Sequence, residues 1–309
     1  MIAVAATIVV SLLVGVGAER RFAERAQAWA RTVLTVTLYG LLPFVVFFNI
    51  ARLHVSVDLA AALGLAIVVA ALVALLAWLV ATRVLRVARP TAGSVMVSSI
   101  QGNTGYLGLP VAFAVLGAGA LGNAIAYDTI MSAVTLLLGS AAIGAALGER
   151  AGDGRRARVR SFLARNPPLI AVVLGLLAPD ALAPQALVDV SHVLAVGLAP
   201  LGFFALGAIL AGEAEHGALG LPWMGGHVLT APIGAAVTLK VLVTPLLLLA
   251  ITAPLVDLPR AFLLQAAMPS GINGLVIAHA YGLDLRTSAG AIAWSTAIVV
   301  VAATIGAVV

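Results

Sequence analysis

Long apolar stretches, separated by short polar segments, set the pattern of this chain. A helix that crosses a bilayer needs roughly 17–25 mostly apolar residues in a row. Runs near this length predict ten membrane-spanning helices, at residues 2–17, 32–50, 57–82, 91–116, 120–147, 167–179, 186–211, 227–253, 261–281 and 287–308. The pattern therefore predicts an all-α, polytopic membrane protein.

Composition agrees with a chain that lies in lipid. Apolar residues make up 62% of the sequence, charged residues only 9%, and the mean hydropathy is +1.15. A soluble domain is nearer to about half apolar and about a quarter charged. There are no cysteines, and no His, Asp or Glu cluster has the spacing of metal ligands. Neither a metal site nor a cofactor is predicted.

The arginines indicate how the chain is oriented. Sixteen of the seventeen basic residues are Arg, and fourteen of these lie in the loops that follow helices 1, 3, 5, 7 and 9. The other loops hold only Arg52 and Arg260. Because positive loops stay in the cytoplasm, both termini are expected outside the plasma (cell inner) membrane. This asymmetry also explains a pI near 10.4 without a nucleic-acid partner.

A polar, Arg-rich segment divides the chain into two halves of five helices. We expect a first repeat at residues 1–148, a cytoplasmic linker at 149–166 and a second repeat at 167–309. An odd number of helices per half makes the two halves enter the membrane from opposite sides. The sequence therefore predicts the 5+5 inverted repeat that many secondary transporters share.

Two of the predicted helices, the fourth and the ninth, are interrupted by polar and helix-breaking residues. In the fourth, three glycines and Pro110 follow Gln101 within ten residues, so one half-helix is expected to end near Asn103 and another to begin near Pro110. In the ninth, Pro269 and Gly271 break the pattern. Irregular backbone at membrane depth is tolerated only where it lines a cavity or is buried in protein.

Paired breaks of this kind point to the binding site of a secondary transporter. Helix N-termini carry partial positive charge and unpaired N–H groups, which favour an anion. Asn side chains can both donate to and accept from a carboxyl group. The alternative is a pair of ordinary kinks in which Asn bonds neighbouring helices. The predicted substrate-binding residues are Asn103, Thr104, Gly105, Pro110, Pro269, Ser270, Gly271 and Asn273.

The sequence around these breaks resembles the auxin efflux carrier family. Asn103-Thr-Gly-Tyr-Leu-Gly-Leu-Pro110 is similar to that family's N-x-x-x-x-G-[LI]-P element, and Gln265 to Gly282 is similar to its ninth-helix pattern. Lys240-Val-Leu-Val-Thr-Pro245 and Leu41-Leu-Pro43 match its eighth and second helices.

The resemblance implies ten helices, a crossover of helices 4 and 9, and a transport domain that moves against a rigid scaffold like an elevator. It also implies small organic anions as substrates, with auxin in plant members and malonate-type carboxylates in some bacterial ones. Plant members carry an Asp and a Lys one turn apart early in the third helix. Here Ala62 follows Asp58 at that spacing, so this charge pair is not carried over.

Two further charged residues lie inside predicted helices. Asp128 in helix 5 is a candidate proton or sodium site, or else a structural hydrogen-bond partner of the broken segment. Lys240 is the only lysine of the chain. It is expected to compensate a buried carboxylate, to attract the substrate, or to extend towards the membrane interface.

The leading functional hypothesis is a secondary carrier of a small organic anion, a carboxylate, by alternating access in the lipid bilayer. This hypothesis allows for coupling of transport to protons or sodium ions and for assembly of the protein as a homodimer. The alternative is a cation/proton antiporter that uses Asp128. An intramembrane enzyme is not expected, because Ser98-Ser99 and the Pro269–Gly271 turn lack a partner His in any known motif. No nucleotide-binding motif is present, so pumping driven by ATP is not expected either.

Overall fold

A computed structural model describes residues 2–51, 57–150, 156–157, 160, 167–215 and 229–306, and these are helical almost throughout. The described helices are α1 (Ile2–Phe22), α2 (24–51), α3 (57–84), α4a (Arg89–Ile100), α4b (104–116), α5 (121–147), α6 (Pro167–Leu177), α7 (Gln185–Glu215), α8 (231–252), α9a (Arg260–Ala266), α9b (Asn273–Tyr281) and α10 (Leu285–Gly306). Short 3₁₀ turns lie at Ala118–Ala120 and Asp180–Leu182.

Five described segments are long and apolar enough to cross a membrane. Two shorter apolar segments, Pro167–Leu177 and Pro200–Ile209, accompany them. The prediction of an all-α membrane protein is therefore confirmed, whereas the count of ten spans and the inverted repeat stay predictions. The five long segments are Glu24–Phe48, Leu59–Val84, Gly122–Leu147, Ala231–Thr252 and Leu285–Ala302.

Several helices extend beyond the apolar runs that predicted them. Helix α2 begins at Glu24, although its apolar run starts only at residue 32. Its first turns bury Ala26, Ala30 and Leu34 at intervals of four residues and leave the other side polar. A one-sided apolar pattern packs on protein but escapes a search for uninterrupted apolar runs. The Arg-rich linker at 149–166 and the segment at 216–228 lie largely or wholly outside the described residues.

Wide π turns precede three prolines inside helices. The turns Thr37–Leu41, Thr104–Gly108 and Leu239–Val243 each end two residues before Pro43, Pro110 and Pro245 respectively. Proline lacks the N–H that an α-helix needs and clashes with the preceding turn. A π turn relieves this conflict, because it shifts the hydrogen bonding by one residue.

The π turn before Pro110 corrects the predicted boundaries of the first break. Helix α4a ends at Ile100 rather than near Asn103, and the next helix starts at Thr104 rather than near Pro110. The N–H of Gly108 donates to the carbonyl of Asn103, five residues back, at 3.0 Å. Pro110 is therefore accommodated within α4b and does not start it.

The helices pack as two groups. Helices α1, α2, α6 and α7 contact one another, mainly through the α1–α7, α2–α6 and α2–α7 pairs, and are called here the peripheral group. Helices α3, α4a, α4b, α5, α8, α9a, α9b and α10 form the second group, called here the broken-helix group. Contacts of α7 with α10 and of α2 with α9b connect the two groups.

Buried apolar clusters follow this division. One cluster lies within the broken-helix group and includes Val73 of α3, Val95 of α4a and Phe262 of α9a. A small cluster around Phe48 and Val188 lies within the peripheral group. A third, larger cluster contains residues of both groups and forms the contact between them.

Glycines allow α1 and α7 to approach at backbone distance. A Cβ atom on Gly15 would collide with the carbonyl oxygen of Phe204, and one on Gly207 would collide with that of Leu12. Small residues have this role in lipid, where helices associate by close packing rather than by escape from water.

We expect Gly15→Ala to destabilise the protein by about 1–3 kcal/mol, because the new methyl group would overpack the α1–α7 contact. The matched control is Gly17→Ala on the same helix, since a Cβ there meets nothing within 4 Å. Thermal unfolding in detergent measures both variants. Equal midpoints for the two variants would mean that α1 does not pack on α7 through Gly15.

Candidate functional site

The two helix breaks are hydrogen-bonded to each other. Gly102 and Ser270 form an antiparallel bridge. The N–H of Asn103 donates to the carbonyl of Pro269 at 2.8 Å, and the N–H of Gly271 donates to the carbonyl of Gln101 at 2.8 Å. Each break therefore supplies backbone partners that the other lost when its helix ended.

Gly271 makes this close approach possible. A Cβ atom at this position would lie 2.6 Å from the carbonyl oxygen of Gly102 and 2.8 Å from its carbonyl carbon. Both are backbone atoms, which cannot move aside as a flexible side chain could. Glycine at position 271 therefore allows the two breaks to join, whereas its predicted role in substrate binding stays a prediction.

Ser270 is engaged by protein on both sides. Its hydroxyl donates to the carbonyl of Ser98 at 2.7 Å, and its N–H donates to the Oγ of Ser295 at 3.0 Å. The Ser295 hydroxyl in turn donates to the carbonyl of Ala291 at 2.6 Å. Ser270 therefore ties the second break to α4a and α10.

The carboxamide of Asn103 is buried without a partner among the described residues. Its side chain is 2% exposed, and neither Oδ1 nor Nδ2 has a hydrogen-bond partner. An unsatisfied buried polar group costs about 1–3 kcal/mol, so such groups need an explanation. A bound polar solute is one explanation, and Asn103 lies where the two breaks meet.

A carboxylate lies at the start of the second half of helix 4. The hydroxyl of Thr104 donates to Oδ1 of Asp128, and that of Ser132 donates to the same oxygen at 3.3 Å. Gly105 leaves room for this contact, because a Cβ there would lie 3.2 Å from Oδ2 of Asp128. The carboxylate therefore lies at the positive end of α4b. Asp128 does bond the broken segment, as one of its two predicted roles required.

Lys240 lies at the C-terminal end of the half-helix α9a. Its Nζ donates to the carbonyl of Ala266, the last residue of α9a, at 3.1 Å. It is 3% exposed, so the prediction that it extends to the membrane interface is wrong. In the described part of the chain it makes no ion pair with a carboxylate, so the predicted compensation of a buried acid is not observed. Together with Gly102 and Thr104, it lines a cavity within the broken-helix group.

The remaining predicted site residues differ in how far the structure describes them. Asn273 is the first residue of α9b and is partly exposed, whereas Pro269 is buried. The side chain of Pro110 lies outside the described residues. In the described chain no group of three or more His, Asp or Glu could hold a metal ion.

Comparisons with known proteins decide the class of protein to which this arrangement belongs. A family model described as "Membrane transport protein" matches residues 159–306. An uncharacterized transporter of Methanocaldococcus jannaschii is 26% identical over 305 residues, which cover 94% of each chain. Both matches agree with the resemblance of the two breaks to the auxin efflux carrier family. The chain is a membrane transporter and not an enzyme.

Several residues that support the breaks were not predicted from the sequence. Gln101 accepts a hydrogen bond at Oε1 from Thr135 at 3.0 Å, besides its backbone bond to Gly271. Gln265 donates from Nε2 to the carbonyl of Ala124 at 3.2 Å, and its Oε1 lacks a partner among the described residues. Both glutamines are the first residues of the interrupted segments, so their positions could have indicated a role in supporting the breaks. Ser295 lies in a regular helix and gave none.

Gly271→Ala is expected to lower the free energy of unfolding by about 1–3 kcal/mol, because the methyl group would push the two breaks apart. Gly64→Ala on α3 is the control, since a Cβ there meets nothing within 4 Å. The midpoints of thermal unfolding measure the difference. A Gly271→Ala variant as stable as the Gly64→Ala variant would contradict the close approach of the breaks.

Proposed function

We propose that this transporter is a secondary carrier of a small organic anion, a carboxylate, which binds where the two helix breaks join. The observation that carries the proposal is the carboxamide of Asn103, which is 2% exposed and has both polar atoms unpaired among the described residues. An amide can donate to one carboxylate oxygen and accept from a protonated carboxyl group.

Helix ends support a negatively charged passenger. Helices α4b and α9b start at Thr104 and Asn273, on either side of the bridge between the breaks. Each helix N-terminus carries roughly half a positive charge and N–H groups without intrahelical partners. The N–H groups of Asn103, Ser270 and Gly271 already bond protein atoms, so the anion is proposed to use side chains and the first turns instead.

Alternating access is proposed to occur by movement of the broken-helix group against the peripheral group. The broken-helix group has its own buried cluster around Val73, Val95 and Phe262, as a body that moves as a unit requires. The contact between the groups is mainly apolar, although Thr35 of α2 and His279 of α9b form a hydrogen bond of 3.3 Å, so sliding would break few polar bonds. Such a movement would carry the joined breaks across the membrane in the manner of an elevator.

The membrane arrangement proposed with this mechanism has ten spans as two inverted five-helix repeats. The two broken helices would occupy equivalent positions in the repeats, as the fourth and ninth spans. The arginine asymmetry favours a plasma membrane location with both termini outside.

Asp128 is proposed to couple transport to protons. Its hydrogen-bond partners among the described residues are two hydroxyls, from Thr104 and Ser132. While ionised, it holds the positive end of α4b and repels a second carboxylate nearby. Uptake of a proton by Asp128 would remove that repulsion, so one proton would accompany each monovalent anion.

A cation/proton antiporter is the second candidate, because Asp128 is a carboxylate next to the broken helix. Such a protein would exchange protons for a cation at Asp128 and would not transport carboxylates. The orphaned amide of Asn103 favours the anion carrier, since a cation would be bound by oxygen atoms alone.

Asn103→Ala and Asn273→Ala are expected to abolish uptake of the substrate, because each removes an amide at the joined breaks. Proteoliposomes are tested with a panel of labelled mono- and dicarboxylates under imposed proton or sodium gradients. Asn123→Ala is the matched control, since Asn123 lies in α5 outside both breaks. If uptake persists in both folded variants, the proposed site is wrong.

Asp128→Asn is expected to retain exchange of labelled for unlabelled substrate but to lose accumulation driven by a proton gradient. The amide imitates the protonated acid and cannot release a proton. Asp257→Asn, at an exposed position, is the control. Proton-driven accumulation that survives in Asp128→Asn would exclude this coupling role. Proton-coupled cation flux without carboxylate transport in the wild type would support the antiporter instead.

A further inference from the structure

The single lysine of the chain is buried at the middle of an apolar helix. Lys240 lies ten residues into α8, which spans 231–252, and its side chain is 3% exposed. A lone ammonium group in such surroundings is costly unless something of opposite charge compensates it. No carboxylate forms an ion pair with it among the described residues, so we look to the backbone dipoles around the ammonium for the compensation.

The Lys240 ammonium bonds the end of α9a and lies beside the first break. It donates to the carbonyl of Ala266, where α9a ends, at 3.1 Å. It also lies beside Gly102, two residues after α4a ends at Ile100, because a Cβ on Gly102 would be 3.2 Å from Nζ. Glycine at 102 thus leaves the room that the ammonium occupies.

Two helix C-termini together supply about one negative charge. Each carries roughly half an elementary charge on carbonyl groups that have no intrahelical partner. The bridge between Gly102 and Ser270 joins the segments that follow α4a and α9a. The positive charge of one lysine therefore matches the combined charge of the two ends.

We propose that Lys240 is a resident counter-cation of the joined breaks, which takes the place of an exchangeable alkali cation. Without the Lys240 side chain, the carbonyls at the two C-termini would surround an oxygen-rich, negatively polarised space of the kind that binds Na⁺. The lysine fills this space permanently. Binding and transport of the anion then require no sodium, which narrows the coupling ion of the proposed function to the proton.

Lys240 is on this account a positioning residue rather than a substrate ligand. It holds the ends of α4a and α9a in place. Because Asn103 directly follows Gly102, the position of its side chain depends on Lys240 as well. The transport part of this inference rests on the proposed carrier function. The effect of Lys240 on stability does not rest on that function, so the counter-cation role and the carrier function can be disproved separately.

The test compares wild type, Lys240→Ala and Lys240→Met in three buffers, which contain NaCl, N-methyl-D-glucamine chloride or propylammonium chloride. Lys240→Ala removes the atoms that propylammonium restores, and it opens a space that Na⁺ can enter. Lys240→Met fills the space with an uncharged chain and is the matched control. Both the thermal midpoint of the purified protein and carboxylate uptake into proteoliposomes are measured.

We expect wild type to have the same midpoint and the same uptake in all three buffers. Lys240→Ala should have a lowered midpoint and roughly tenfold slower uptake in N-methyl-D-glucamine. Both should recover in Na⁺ or propylammonium, whereas Lys240→Met should stay impaired in every buffer.

Three results would overturn the proposal. The first is wild-type uptake or stability that depends on Na⁺. The second is a Lys240→Met variant that behaves as wild type, because the charge would then be dispensable. The third is a Lys240→Ala variant of normal stability in every buffer with weakened anion binding, which would make Lys240 a direct substrate ligand. Recovery of the midpoint without any carboxylate uptake by wild type would support the resident cation and refute the carrier function.

Discussion

The need to satisfy backbone hydrogen bonds inside lipid is the constraint from which this structure follows. Two helices end inside apolar segments of the chain, and each would leave N–H and carbonyl groups without water to bond them. The protein solves this by joining the breaks, through Asn103 N–H to Pro269 and Gly271 N–H to Gln101, at 2.8 Å each. Because the partners lie far apart in sequence, these bonds bring the two halves of the chain together at one point.

Joining the breaks also gathers four helix ends, and their charges organise the site. Lys240 lies at the negative end of α9a, and Asp128 lies at the positive end of α4b. Both of these charged side chains belong to the protein itself. The positive start of α9b and the amide of Asn103 are then the groups that lack such a partner among the described residues. A small carboxylate would complete this arrangement, and it would compete electrostatically with an ionised Asp128.

Sequence patterns identified the breaks but not how they fit together. Gly and Pro in two apolar runs located both interruptions, and the resemblance to the carrier family is confirmed. The predicted start at Pro110 was wrong, because a π turn lets the helix begin at Thr104, and propensity rules do not foresee such turns. The contacts of Lys240 with Ala266 and of Ser270 with Ser295 join distant helices, so no local pattern could reveal them.

The central claim, that a carboxylate binds at the joined breaks, is tested most directly by the side-chain amide signals of the asparagines. The chain has five, so ¹⁵N-Asn labelling in lipid nanodiscs gives a small set of resonances that single substitutions assign. Titration with the transported carboxylate is expected to shift the Asn103 Nδ2 resonance saturably while that of Asn123 stays fixed. Saturable binding of the carboxylate with no change at Asn103 would contradict the account.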